Sequence, residues 1–539
     1  MPQDKESKAS DDMREPDSRR EFLKKLGTAL GGVAITTLVV ASTAAAQQGN
    51  PPVIPIPQQI FAKPVPAFIG TPAVPNPITA TPVPQDPFLA PNGRSGIHLD
   101  AYQSDTYATA GPLGNHPVVT STFLAAECGT LTFDSKGRIN TVCIGAGGPE
   151  LYLLDPDTLA IQARFSLPAG NSSTQRFSGG YYFLDQLDRA VIPTRTRDIW
   201  IIKTVEDSSG KPSFMRDHTC ALDLPLRIPN DQSIRSTLPD ASGLLWFTTG
   251  GGANVTDEPA IVGTARPNPR HKNRCDVSLY TLPAGEGIQK SLAADPDPSR
   301  GGVFIVSDHQ MYRFDADPQG NPTLTWSEPY DRGTSIKPGQ ITEGSGTTPT
   351  LMGTDYVTID DNADSQIDVV VYRRAAQVNG SRLVCKQPVF EPGFSASFNS
   401  LIATDRSISI ENNYGYLNLA STIFGNTTAP GITRIDIDDD GNGCHVVWSN
   451  TVESVPNVVS QLSLATGLEY TYTKSYNADR TDAWYFTAID FATGNTVFKV
   501  LAGTGIFFNS SYLGLYLGPD GKTAYVAVLG GIVRIQDTQ

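Results

Sequence analysis

At 539 residues the chain is too long for one hydrophobic core, which leaves several domains or one large repeat architecture. Hydrophobic residues at 39% and charged residues at 18% exclude a disordered chain, and a formal charge of −14 argues against nucleic acid or another polyanion as partner. With 49 glycines and 41 prolines, turns recur every few residues, so the composition points to an all-β chain of short strands.

In chain order, the first feature is Ser18-Arg19-Arg20-Glu21-Phe22-Leu23-Lys24, followed by an apolar run from Leu26 to Ala41 and then Ala44-Ala45-Ala46. Residues 1–46 resemble a twin-arginine (Tat) signal peptide. The resemblance implies passage through the Tat translocase, folding before export, and a mature chain from Gln47 that is periplasmic or secreted. The apolar run contains Gly27, Gly31 and Gly32 and falls short of the roughly 20 residues a spanning helix needs, so no stable membrane anchor is expected. Seven basic and seven acidic side chains cancel in this segment, and the acidity belongs to the remainder.

Residues 47–93 are proline-rich, with thirteen prolines between Pro51 and Pro91. Helix is excluded there, leaving extended or polyproline II backbone. The interleaved Val53, Ile54, Ile56, Ile60, Phe61, Phe68 and Ile69 predict a strap lying on the main domain, with a free linker as the alternative.

Residues 94–539 read as a repeat: one β-prone strand, a short Gly/Asp/Asn loop, then a second strand, eight times at a mean spacing of about 54 residues. The first pair is Arg138–Ile144 with Leu151–Leu154. The third is Leu244–Thr248 with Val277–Thr281, separated by an insertion from Gly250 to Asp276, and the last is Ala524–Leu529 with Ile532–Ile535. Four-stranded blades at this spacing predict an eight-bladed β-propeller. Seven blades are the alternative, because spacing is irregular around the third repeat. The chain stops after the last second strand, so the ring should be closed by an N-terminal strand within His116–Phe123.

Six cysteines without zinc or haem spacing read as disulfides in an exported chain. Cys128 and Cys143 lie symmetrically about the hairpin turn Asp134-Ser135-Lys136-Gly137, which predicts Cys128–Cys143; Cys220–Cys275 and Cys385–Cys444 complete the expected set.

Ala488-Ile489-Asp490-Phe491-Ala492-Thr493-Gly494-Asn495-Thr496-Val497-Phe498 resembles the blade motif A-x-D-x-x-T-G-x-x-x-W of quinoprotein alcohol dehydrogenases, with Phe498 in place of the docking tryptophan. The family resemblance implies an eight-bladed propeller, pyrroloquinoline quinone and Ca²⁺. Two features depart from it: the chain has no adjacent cysteines and no C-x-x-C-H haem site.

In a propeller the loops between the two middle strands of each blade converge on one face, and a small-molecule ligand is expected at that axial mouth. Asp308-His309 offers a carboxylate beside a general base, and with Glu411 forms the candidate catalytic set. Arg195, Arg197, Asn412, Asn413 and Tyr414 are candidate ligand-binding residues. Asp360, Asn362 and Asp364, and separately Asp436, Asp438 and Asp440, place oxygen ligands at alternate positions as Ca²⁺ loops do, with solvated acidic turns as the alternative. Glu411-Asn412-Asn413 also resembles the axial sites of propeller lactonases of the gluconolactonase class. His98, His116, His218, His271 and His445 show no metal spacing and read as structural or exposed. Without G-x-S-x-G, a P-loop or a dinucleotide fingerprint, serine hydrolase, nucleotidase and NAD chemistry are disfavoured. Three readings remain: a quinoprotein-like oxidoreductase, a Ca²⁺-dependent lactonase or other hydrolase, and a non-catalytic binding scaffold.

Overall fold

Aspartates at the start of recurring tight turns set the hairpins. Asp134 Oδ1 accepts the backbone N–H groups of Lys136 (3.0 Å) and Arg138 (2.9 Å), and Gly137 takes the left-handed conformation (φ 77°) that a side chain resists. Asp185, Asp207, Asp240 and Asp317 repeat the pattern, each accepting from residues two and four positions ahead.

The strands between these turns assemble into eight antiparallel blades. The computed structural model describes residues 52–169, 180–194, 196–221, 228, 232–250, 259–271 and 273–539, and Val53–Gln539 forms one compact unit. Blade 1 covers residues 126–166, blade 2 183–221, blade 3 233–281, blade 4 293–329, blade 5 350–388, blade 6 402–450, blade 7 461–504 and blade 8 513–537. Blade 8 takes its outermost strand from Pro117–Phe123, which pairs antiparallel with Gly531–Asp537 from Pro117 opposite Asp537 to Phe123 opposite Gly531. Apart from two short 3-10 turns, Leu419–Thr422 and Ile506–Phe508, no helix occurs among the described residues.

The third repeat requires a correction. Val277–Thr281 belongs to the outermost strand of blade 3, Cys275–Thr281, and the strand paired with Leu245–Gly250 is Ile261–Pro267. That strand lies inside the segment taken as an insertion. With it restored, third strands end at Leu154, Glu206, Pro267, Ala316, Arg373, Ile437, Asp490 and Asp537, at intervals of 47 to 64 residues, and the irregularity behind a seven-bladed count disappears.

All three disulfides form as paired in the sequence. Cys128 and Cys143 are direct cross-strand partners within blade 1. Cys220–Cys275 joins the outermost strands of blades 2 and 3, and Cys385–Cys444 those of blades 5 and 6. The Asp490 motif forms the turn between the two outer strands of blade 7: Asp490 Oδ1 accepts from Thr493 N (2.8 Å) and Oγ1 (3.0 Å). Phe498 is fully buried and stacks on Phe68 at 6.0 Å.

Phe68 belongs to the proline-rich stretch. Phe68–Gly70 pairs beyond Thr496–Thr504 as an extra outer strand of blade 7, Gln59 N donates to Thr504 O (2.9 Å), and Ile78 N to Leu464 O (2.8 Å). Ile56 is buried, whereas Ile60 and Phe61 are exposed. Residues 95–107 then run along the innermost strands. Leu184 N donates to Ser95 O (2.7 Å), Ala294 N to Ala101 O (2.8 Å), Leu351 N to Tyr102 O (2.9 Å), Ala403 N to Ser104 O (2.9 Å) and Leu462 N to Asp105 O (2.9 Å). One segment thus satisfies donors on the first strands of blades 2, 4, 5, 6 and 7, with Ala101, Tyr102, Ser104 and Asp105 all buried.

Deleting residues 53–107 should therefore lower the melting temperature more than Phe498→Ala, whose cost as a fully buried aromatic truncation is about 3–5 kcal/mol. Calorimetry of the two proteins makes the comparison; an unchanged transition in the deletion would mean that the inner strands hold without this segment.

Candidate axial site

The segments that lead into the first strands bring side chains to one end of the propeller axis. Tyr181, Lys290, Thr348, Ser400 and Tyr512 each stand one to three residues before the first strand of blades 2, 4, 5, 6 and 8. With His98 they line a small cavity of about 40 Å³.

His98 is buried and bonded at both ring nitrogens. Nδ1 lies 3.0 Å from Asp105 Oδ2 and 3.2 Å from Oδ1. Nε2 lies 3.1 Å from Ser400 Oγ and 3.4 Å from Thr348 Oγ1. Asp105 also accepts from Gln461 Nε2 (3.1 Å). Burial pushes the Asp105 carboxyl up, and the facing imidazole opposes that rise.

Lys290 donates to Phe398 O (3.0 Å). Burial lowers its pKa and raises that of Asp360, and each charge opposes the other's shift. Arg235, on the first strand of blade 3, is buried, pushed down to about 10 by desolvation, and interacts with Tyr181. Its Nε has no hydrogen-bond partner among the described residues. Glu411 and Glu469 are pushed up by burial to about 8 and about 7. Burial thus pushes Lys290, Arg235 and the carboxyls of Asp360, Glu411 and Glu469 each toward its neutral form.

The sequence-derived candidates fall in different places. Asp308 and His309 do face each other, Oδ1 to Nδ1 at 2.9 Å, but Asp308 Oδ1 also accepts Gly287 N (2.8 Å), and neither residue lines the cavity. Arg195 lies outside the described residues. Arg197 donates to Ile228 O (3.1 Å). Glu411 is buried and accepts from Asn399 Nδ2 (2.6 Å) and Ser460 Oγ (2.5 Å). Asn412 Oδ1 accepts from Ala396 N (3.3 Å) and Tyr414 N (3.1 Å), and Asn413 Oδ1 from Phe398 N (2.8 Å). These amides brace the backbone. Tyr414 packs edge-on against Phe394 at 5.5 Å.

The oxygen sets proposed for Ca²⁺ are engaged in part by protein donors, while Asp360 Oδ2 and Asn362 Oδ1 are buried without a hydrogen-bond partner among the described residues. Asp360 Oδ1 accepts from Ser345 Oγ (2.8 Å), Gly346 N (2.7 Å) and Thr347 Oγ1 (3.1 Å). Asn362 Nδ2 donates to Arg332 O (3.0 Å) and Ser335 O (3.1 Å), while Asp364 Oδ1 accepts Thr334 N (2.7 Å). The three side chains are thus drawn to separate segments. In the second set Asp436 pairs with Arg434 (2.7 Å), Asp438 with His445 (2.6 Å), and Asp440 Oδ1 accepts Asn442 N (2.9 Å). Among the described residues the sole group of three His, Cys, Asp or Glu ligand atoms within 4.8 Å is His218, Cys220 and Cys275, and its two sulfurs form a disulfide. No disulfide joins adjacent cysteines, and none lines the cavity.

No family model and no curated relative matches the chain. Among solved structures it is similar to the Dos1 propeller (9% identity, 77% of this chain and 93% of that one, TM-score 0.45). It is also similar to the WD40 domain of SCAP from fission yeast (10%, 77% and 96%, TM-score 0.42) and to the Pseudomonas aeruginosa periplasmic gluconolactonase PpgL (14%, 60% and 84%, TM-score 0.36). These values say nothing about chemistry, and the blade count rests on the strand pairings above.

The Glu411 carboxyl gives a signed pH dependence. Its folded pKa, about 8, lies above the ordinary 4.5, so its contribution to stability is complete below about pH 4.5 and is lost as pH rises through 8. Glu411→Gln keeps the neutral shape and should remove a loss of about 1.4 kcal/mol per pH unit across that window. Denaturant unfolding at pH 5 and pH 9 should show the variant gaining on the parent at the higher pH; parallel stabilities would mean that Glu411 ionises freely.

Proposed function

We propose that this is an exported propeller that receives a small carbonyl- or carboxylate-bearing molecule at the axial mouth. The observation that carries the reading is the cavity at the first-strand entrances, where Lys290 stands with His98, Thr348 and Ser400 in a site largely closed off by the blades. A carboxylate or carbonyl oxygen there would meet the Lys290 side-chain nitrogen, which a bound anion would hold protonated, and the nearby Arg235 adds positive potential. Export by the Tat route is part of the proposal. It is supported by residues 18–46, by three disulfides suited to an oxidising compartment, and by the finding that no helix among the described residues is long and apolar enough to cross a membrane. The oxidoreductase reading gains no support from these side chains, and the Ca²⁺-lactonase reading keeps the unpartnered Asp360 Oδ2 and Asn362 Oδ1.

Thermal denaturation with succinate, lactate or γ-butyrolactone tests the reading. A molecule that binds the folded state alone stabilises it by about 2.7 kcal/mol at a hundredfold excess over Kd. At least one of the three should raise the melting temperature of the parent, and Lys290→Met should abolish the rise. No rise with any of them, or an equal rise in Lys290→Met, would remove the axial ligand reading.

A further inference from the structure

We infer that Ser400, His98 and Asp105 form a nucleophilic relay that hydrolyses a small ester or lactone in the axial cavity. The inference rests on the axial-ligand reading and adds a reaction to it. Three observations carry it.

The first is geometry: an unbroken chain runs from Ser400 Oγ to His98 Nε2 (3.1 Å) and from His98 Nδ1 to Asp105 Oδ2 (3.0 Å), distances within the range of a serine nucleophile, its base and the orienting carboxylate. The second is polarity. Asp105 accepts from both Gln461 and the His98 ring, so the carboxylate draws the imidazole proton to Nδ1 and leaves Nε2 free to accept from the Ser400 hydroxyl. The third is access: His98 and Asp105 are buried, whereas Ser400 is partly exposed and lines the cavity that also holds Lys290. A purely structural His–Asp pair has no need of a hydroxyl presented to open space on its far nitrogen.

The chemistry balances with water as co-reactant. Ser400 Oγ adds to the carbonyl carbon as its proton passes to His98 Nε2, and the carbonyl electron pair moves to oxygen, where Lys290 and the Thr348 hydroxyl supply positive charge and a donor. Collapse expels the alcohol, which takes the proton from His98. A water molecule then adds to the acyl carbon, giving its proton to Nε2, and the carboxylic acid leaves as the serine hydroxyl is restored. Ser400 and His98 are the catalytic residues. Asp105 and Gln461 are positioning residues that fix the ring and its tautomer.

The three residues come from positions 98, 105 and 400. The segment that satisfies the inner strands delivers the first two, and the approach to the first strand of blade 6 delivers the third. Nothing local in sequence marks the site, since no strand-turn-helix elbow is used.

The test uses the full chain, diisopropyl fluorophosphate and p-nitrophenyl acetate. The parent should gain one organophosphoryl group by intact mass, mapped to the peptide containing Ser400, and Ser400→Ala should lose both the adduct and roughly 10³-fold or more of esterase turnover. Asp105→Asn should lower kcat with KM little changed and shift the alkaline limb of the pH profile; if it fails to fold, Ser400→Cys supplies the second variant, expected to be alkylated by iodoacetamide faster than free cysteine because His98 withdraws the thiol proton. An unlabelled parent, an adduct that persists in Ser400→Ala, or a Ser400→Cys thiol of ordinary reactivity would overturn the relay. The two proposals fail separately: the ligand-induced rise in melting temperature is read on the parent against Lys290→Met, and the adduct on the parent against Ser400→Ala, so a parent that shows the rise without the adduct keeps the ligand reading and loses the relay.

Discussion

A ring of blades leaves one edge of every innermost strand facing the axis, and those backbone groups must be bonded or solvated. Here residues 95–107 do the bonding for five blades, from Ser95 at blade 2 to Asp105 at blade 7. The same thirteen residues explain two further features. Tyr102 accepts from the Arg374 guanidinium (2.8 Å), which also lies over its ring at 4.8 Å, so an inner strand partner is tied to a blade-5 side chain. His98 is presented at the opposite end, into the cavity. Structural closure of the inner edge and placement of the site are therefore one event, and a change that loosens the segment should affect both.

The acidity of the chain has a structural explanation in part. Aspartates that accept two backbone N–H groups recur at blade hairpins, and at Asp134 and Asp185 an arginine four positions ahead closes the turn with a further bond of 2.7 Å. A carboxylate is suited to this because it accepts several bonds without donating any. Asp436, Asp438 and Asp440 look like cation ligands in the sequence, and in the fold Asp436 pairs with Arg434, Asp438 with His445, and Asp440 Oδ1 accepts from Asn442 N.

Much of the propeller was legible because its signals are local. Strand pairs alternate with Asp-x-x-Gly turns, and a symmetric placement about one turn identified Cys128–Cys143. The third repeat was misread because Ile261–Pro267 contains glycine, alanine and arginine and lacks the apolar run of its counterparts, while Val277–Thr281 is β-prone on the outer edge. The first strands were harder still: Phe183–Leu184, Ala293–Ala294 and Ile402–Ala403 are two residues long. No periodicity can be read from two residues; Lys290 and Ser400 stand on the approaches to two of these strands, and Thr348 before the three-residue strand Thr350–Met352. The middle loops carry polar side chains that are conspicuous in sequence but brace the backbone in the fold, as Asn412 and Asn413 do.

The polar groups that line the axial cavity are hydrogen-bonded, but two charged groups packed behind them are not fully so. Arg235 Nε and Asp360 Oδ2 are buried without a hydrogen-bond partner among the described residues, and each such group costs about 1–3 kcal/mol relative to a satisfied one. A propeller of eight blades with a large apolar interior can tolerate a few of these. Such atoms occur in all eight blades, from Asn140 Nδ2 in blade 1 to Arg534 Nε in blade 8, and Arg235 and Asp360 interact electrostatically with Tyr181 and Lys290, which line the cavity. Cationic and protonated groups held out of water are, however, what an incoming carbonyl or carboxylate oxygen requires, since the desolvation that weakens them in the empty protein strengthens their interaction with the ligand.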